Sequence, residues 1–211
     1  MDANLSTHYV VRKLHSLTGI VPVGLFLIEH IFTNSFAVRG PGDYDRAVEF
    51  LQGIPYLPVF EACFIILPLY FHGLYGLIIT YDAGFNARNY PGRSNVMYLL
   101  QRASGAITLV FVTAHVYMTR WANLASGVEI NFETVSEHLS SGWMFGFYAL
   151  GVLAAVFHFA NGAWNFSITW GIVVGRGSQR AFWWCCIALG AAMYLAGLNA
   201  LFAFAGRAVV F

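Results

Sequence analysis

The sequence predicts an all-α membrane protein of five transmembrane helices, the first four forming a bundle with a twofold internal repeat, in a single domain over residues 1–211. Three observations carry that expectation. Hydrophobic residues make up 58% of the chain and charged residues 10%, where soluble domains carry about 25% charged residues. Five stretches reach the roughly 20 mostly apolar residues that a spanning helix needs: 14–36, 56–80, 97–121, 143–170 and 181–206. The stretch RKLHSLTGIVPVGLFLIEH, ending at His30, has a second copy in QRASGAITLVFVTAH, ending at His115.

Five spans put the termini on opposite sides of the membrane. Arg12, Lys13, Arg88, Arg93, Arg102, Arg176 and Arg180 collect on one side, against Arg39, Arg46, Arg120 and Arg207 on the other, so the N-terminus is expected to be cytoplasmic. A net charge of +1 and the lack of any Lys/Arg block exclude a nucleic-acid surface. No small-residue cleavage signature follows the first apolar run, so the first helix is expected to be retained. Cys63, Cys185 and Cys186 lie in apolar runs without C-x-x-C spacing and read as small packing residues.

On the outer side, Tyr44, Ala47, Val48 and Leu51 fall at helical spacing, as do Phe132, Val135 and Leu139. They predict two short interfacial helices roofing the bundle. On the inner side, YDAGFNARNYPGRSN and GRGSQR are polar and turn-rich, serving as connectors or as a docking face for a soluble partner. Pro22 and Pro68 are expected to bend their helices, whereas Pro58 sits near a helix start.

Of seven histidines, His30, His72, His115 and His158 lie one each in the first four spans, at separations of 85 (30 to 115) and 86 (72 to 158). Gly76 and Gly162 each follow a histidine by four residues, one turn along the same face, leaving room for something flat. A single intramembrane histidine is often only a hydrogen-bonded packing residue. Four at twofold spacing point instead to cofactor ligation, because ionisable groups in the hydrocarbon region are costly. At about 1.5 Å rise per residue, His30 and His115 lie about 24 and 27 Å from the inner starts of their helices. His72 and His158 lie about 24 and 22 Å from the outer starts of theirs. The pairs are therefore His30 with His115 near the outer face, and His72 with His158 near the inner face. Two opposed imidazoles with no carboxylate or thiolate suit bis-His ligation of haem iron, and zinc, which wants three or four close ligands, fits poorly. With both axial positions filled, the chemistry is one-electron transfer.

These residues carry a resemblance. RKLHSLTGIVPVGLFLIEH, YFHGLYG, QRASGAITLVFVTAH and FHFANGAWNF resemble the dihaem cytochrome b membrane-anchor subunit of succinate dehydrogenases and quinol:fumarate reductases, in the form with one five-helix subunit. The resemblance covers essentially the whole chain. It implies a multi-pass subunit of complex II in a prokaryotic cytoplasmic membrane, holding two haem b groups. A flavoprotein subunit, which bears the succinate site, and an iron–sulfur subunit are implied on the cytoplasmic face. Electrons are implied to pass from the iron–sulfur clusters to a proximal haem at His72 and His158, then to a distal haem at His30 and His115, and on to a membrane quinone, commonly menaquinone in this family. A higher oligomer of the complex is compatible with this.

Haem propionates need donors, and the inner ends of helices one and three offer His15, Ser16, Arg102 and Ser104, beside Gly19 and Gly105; positive-inside and helix-capping roles are the alternative. Arg120 either serves the distal haem or marks a span end. For the protons of quinone chemistry, Glu61, about one turn into helix two, is preferred over Glu29, next to His30. Some fumarate reductases of this family carry a carboxylate on the fourth-ligand helix, but 143–170 has no acid, so that proton route is not expected here. Two other readings stay open: the dihaem cytochrome b of a hydrogenase or formate dehydrogenase, and a haem-free transporter or scaffold.

Overall fold

The computed structural model describes residues 3–82 and 92–207, with side chains from residue 7 onward except that of Arg93, and every regular element among them is helical. Arg88 and most of the 81–95 loop lie outside the described residues. The first span is broken into α1 (Ala3–Ile20) and α2 (Pro22–Ser35), because Pro22 has no N–H to donate and its ring crowds the turn before it. A 3-10 turn, Phe36–Arg39, leads to α3 (Pro41–Gln52) through Gly40 at φ 108°, a corner that favours glycine.

The second span joins α4 (Leu57–Glu61), a π-helical turn (Ala62–Ile66) and α5 (Leu67–Asp82). That widened turn immediately precedes Pro68, which cannot donate to the carbonyl one turn back. The third span joins α6 (Arg93–Val116), a second π-helical turn (Tyr117–Trp121) and α7 (Ala122–Ser126). The short α8 (Phe132–Leu139) is followed by the fourth and fifth spans, α9 (Gly142–Thr169) and α10 (Arg176–Phe204). Among the described residues, five helical stretches are long and apolar enough to cross a membrane: Thr7–Arg39, Leu57–Asp82, Ser94–Ser126, Gly142–Thr169 and Arg176–Phe204. Each overlaps one of the stretches expected from hydropathy, and the first helix already runs from Ala3, ahead of the expected start at 14, because its polar opening turns continue the helix.

The helices α3 and α8 close one end of the bundle, called here the roofed end. Asn131 caps α8 in a reciprocal pair with Thr134. Their apolar faces turn inward: Tyr44 is 3% exposed and Leu139 1%, packed with Phe111, Tyr148, Leu201 and Phe204. Burial, and secondly the charge of Asp45, push the Tyr44 hydroxyl up to about 12. The Phe132 N–H donates to Asp45 Oδ1 at 2.7 Å, and Ser136 Oγ donates to the Phe204 carbonyl at 2.7 Å. The roof helices are therefore bonded to each other and to the end of α10.

Elsewhere large apolar side chains such as Leu25, Phe32, Leu67 and Val110 are exposed, as lipid-facing residues are. Spans three to five pack through small residues. A Cβ on Gly151 would overlap the Phe111 ring, and one on Gly197 would lie 2.9 Å from Val152. Only Cys186 is buried. Cys63 and Cys185 are exposed, so these two do not pack inside the bundle, which corrects their reading as packing residues.

Candidate cofactor sites

The intramembrane histidines meet in two pairs. The rings of His30 and His115 lie 5.7 Å apart at 70°, and those of His72 and His158 lie 6.0 Å apart at 79°. Each pair takes one ring from spans one and two and the other from spans three and four.

The pair farther from the roof shows how the local sequence places an imidazole. His72 Nδ1 lies 2.8 Å from the His15 carbonyl oxygen, and His158 Nδ1 lies 2.9 Å from that of Gln101. A carbonyl only accepts, so both Nδ1 atoms carry the proton and donate it, which leaves each Nε2 with its lone pair for a metal. Helix carbonyls are ordinarily screened by the side chain one turn on. Here the residues one turn after His15 and Gln101 are Gly19 and Gly105. A Cβ on Gly19 would overlap the His72 ring, and one on Gly105 would lie 2.7 Å from His158 Cε1. These glycines are required by close approach, not by backbone conformation.

An offset of 86 residues relates the two halves at this level. It carries His15 to Gln101, Gly19 to Gly105, His72 to His158, Tyr75 to Asn161 and Gly76 to Gly162. It also carries Thr18 to Ser104, whose hydroxyls donate to the carbonyls of His15 and Gln101 at 2.9 and 3.1 Å. The matched positions use different chemistry. The His15 ring stacks on His72 at 4.2 Å and lies 5.7 Å from Tyr75. Gln101 Nε2 donates to the His158 carbonyl at 3.0 Å, and its Oε1 accepts from Asn161 Nδ2 at 2.7 Å. Gly76 and Gly162 adjoin these side chains: an added Cβ would lie 3.2 Å from His15 Nε2 and 3.3 Å from Gln101 Nε2.

The pair nearer the roof is held differently. His115 Nδ1 lies 3.2 Å from the Tyr148 hydroxyl. His30 Nε2 lies 3.4 Å from Asn34 Nδ2, and the same amide donates to the His30 carbonyl at 2.8 Å. Gly19 to His30 spans eleven residues and Gly105 to His115 ten. The extra residue, which would turn a continuous helix by about 100°, coincides with the Val21–Pro22 break. Thr108 Oγ1 is buried with no hydrogen-bond partner among the described residues, two turns before His115 on the same helix face. It therefore sits at a depth between the two pairs.

At the start of the second span, Glu61 Oε2 accepts from Arg120 Nη2 at 2.7 Å and from Nε at 2.9 Å, and Arg120 Nη1 donates to Asn123 Oδ1 at 2.8 Å. Glu61 abuts one π-helical turn and Arg120 lies in the other, a feature found often at functional sites. Glu29 Oε1 accepts from Thr33 on its own helix at 2.6 Å.

Of the expected polar contacts, His15 and Ser104 lie against the His72/His158 pair, Ser104 Oγ being 3.4 Å from His158 Nδ1. Ser16 Oγ instead donates to the Lys13 carbonyl at 2.9 Å and accepts from Trp170 Nε1 at 3.0 Å. The Arg102 guanidinium bonds the Tyr98 hydroxyl and covers that ring. Thr18, Gln101, Asn161 and Tyr148 were not singled out from sequence. The 86-residue offset, applied to His15 and Tyr75, points to Gln101 and Asn161; nothing along the chain points to Tyr148.

Fold and site together define a class: a five-span helical membrane protein that holds two imidazole pairs between the halves of an internal repeat. Residues 90–197 match the family described as succinate dehydrogenase/fumarate reductase transmembrane subunit. The chain is also 43% identical over 196 residues to the succinate dehydrogenase cytochrome b558 subunit of Bacillus subtilis (strain 168), covering 93% of this chain and 96% of that one. The chain belongs to the succinate dehydrogenase/fumarate reductase transmembrane subunit family.

Proposed function

We propose that this chain is the membrane anchor and electron-transfer subunit of a succinate:quinone oxidoreductase, with one haem b at each histidine pair. The observation that carries the reading is the pairing of four intramembrane imidazoles across the repeat. Cytochrome b in the relative's name supports the cofactor. The donor set of the pair farther from the roof fits the group: carbonyl bonds leave Nε2 free on His72 and His158, and glycines admit their rings. When bound, a bis-histidine haem supplies one-electron transfer and has no open position for substrate.

The residues then divide the work. His72 and His158 would hold the proximal group, with His15, Thr18, Gln101 and Ser104 fixing ring orientation and tautomer. His30 and His115 would hold the distal group. The N-terminus is cytoplasmic, and the flavoprotein and iron–sulfur subunits dock at that end. A membrane quinone, menaquinone on the family's habit, reacts near the roofed end. There Glu61 is the first candidate to give or take its protons, fixed by Arg120, and Glu29 is the second. The succinate site is on a partner chain.

Haem counts and reduced-minus-oxidised spectra of the purified complex test this. His72→Ala and His158→Ala are expected to remove one and the same haem, and His30→Ala and His115→Ala the other. Different haems lost within one pair would sink the assignment, and no b-type absorption in the unaltered complex would end the haem reading. Co-purification of a flavin subunit separates it from the cytochromes of hydrogenases and formate dehydrogenases.

A further inference from the structure

Three of the four paired imidazoles have an Nδ1 partner in hydrogen-bonding range. For His72 and His158 it is a main-chain carbonyl; for His115 it is the Tyr148 hydroxyl, a side chain. Tyr148 is 7% exposed and is held by rings on several sides. It meets Phe111 at 5.3 Å, Phe147 at 5.9 Å and His138 at 5.5 Å, all edge to face, with His115 itself at 5.6 Å. His138 comes from α8, so the roof reaches the phenol directly, and among the described residues His138 Nε2 is buried with no hydrogen-bond partner of its own.

We propose that Tyr148 is a positioning residue for the distal site: its hydroxyl accepts the His115 Nδ1 proton, fixing the ring and strengthening it as a donor, while His138 holds the phenol in place from the roof. The proposal rests on the reading of His115 as a haem ligand. An acceptor at the outer nitrogen raises the basicity of a ligating imidazole, and a stronger axial donor favours the oxidised metal. Removing the acceptor therefore raises the distal midpoint potential.

Tyr148→Phe deletes one oxygen and keeps the ring and its packing. In the intact complex both haems are expected to remain, with the distal midpoint moved upward, the distal low-spin EPR signal displaced, and the proximal haem unchanged in both. A retained distal haem with unchanged potential and EPR signal overturns the proposal. Should Tyr148→Phe fail to assemble, His138→Ala loosens the phenol without touching its hydroxyl; a smaller upward shift of the same haem is expected, and an unaltered distal potential overturns the proposal. His115→Ala with unchanged haem content would overturn instead the ligand assignment beneath it.

Discussion

Gly19 and Gly105 do the same work in the two halves, letting an imidazole of the neighbouring span reach a main-chain carbonyl. Gly19→Ala and Gly105→Ala are each expected to displace that imidazole, at about 1–3 kcal/mol for overpacking, and, on the proposed haem assignment, to deplete the haem at His72 and His158 while sparing the one at His30 and His115, read by haem content and difference spectra. Gln101→Ala separates main chain from side chain. It strands the buried Asn161 amide, costing about 1–3 kcal/mol in thermal denaturation in detergent, yet leaves the carbonyl that His158 uses, so the proximal haem is expected to stay. At this scale the pairing of the four histidines was legible because spacing and depth are counted along the chain. The Nδ1 partners were not. A carbonyl has no letter in the sequence, and Tyr148 meets His115 only through the packing of two spans.

Among the elements, the two π-helical turns bring Glu61 and Arg120 together at the roofed ends of spans two and three. With both side chains about three-quarters covered, Arg120→Leu is expected to cost more than the double change Glu61→Leu/Arg120→Leu, by about 1–2 kcal/mol, because only the single variant leaves an unpaired carboxylate. Thermal denaturation of the four proteins in one detergent gives the coupling. The roof makes a separate prediction. Tyr44→Ala opens a cavity against Phe204 and Phe132, expected to cost about 3–5 kcal/mol and to raise hydrogen exchange across residues 41–52 before the spans respond. Hydropathy located the five spans, and periodicity gave the apolar faces of α3 and α8. It could not say whether those faces enter lipid or protein, because the answer lies in α10, far along the chain. The π-helical turns have no periodic signature of their own.

For the whole molecule, the repeat accounts for spans one to four, and α10 stands outside it. That last span supplies no histidine, yet it buries Gly190, Met193, Gly197, Ala200, Leu201 and Phe204, so it acts as a packing wall for α9 and the roof. Its number and length were plain from hydropathy, but its structural role was not, since burial inside protein and burial in lipid select the same residues.

The sharing of each histidine pair between halves bears on how the chain is made. Spans enter the membrane in order, and His30 and His72 arrive first, each without its counterpart. The roofed-end pair is complete once the third span is in place, and the other once the fourth is. On the proposed haem assignment, capture of a cofactor between His72 and His158 would report that synthesis has passed residue 158, and a nascent chain halted earlier offers that site a single ring. Premature termination is thus expected to leave a product that quality-control proteases meet with at least one site half built.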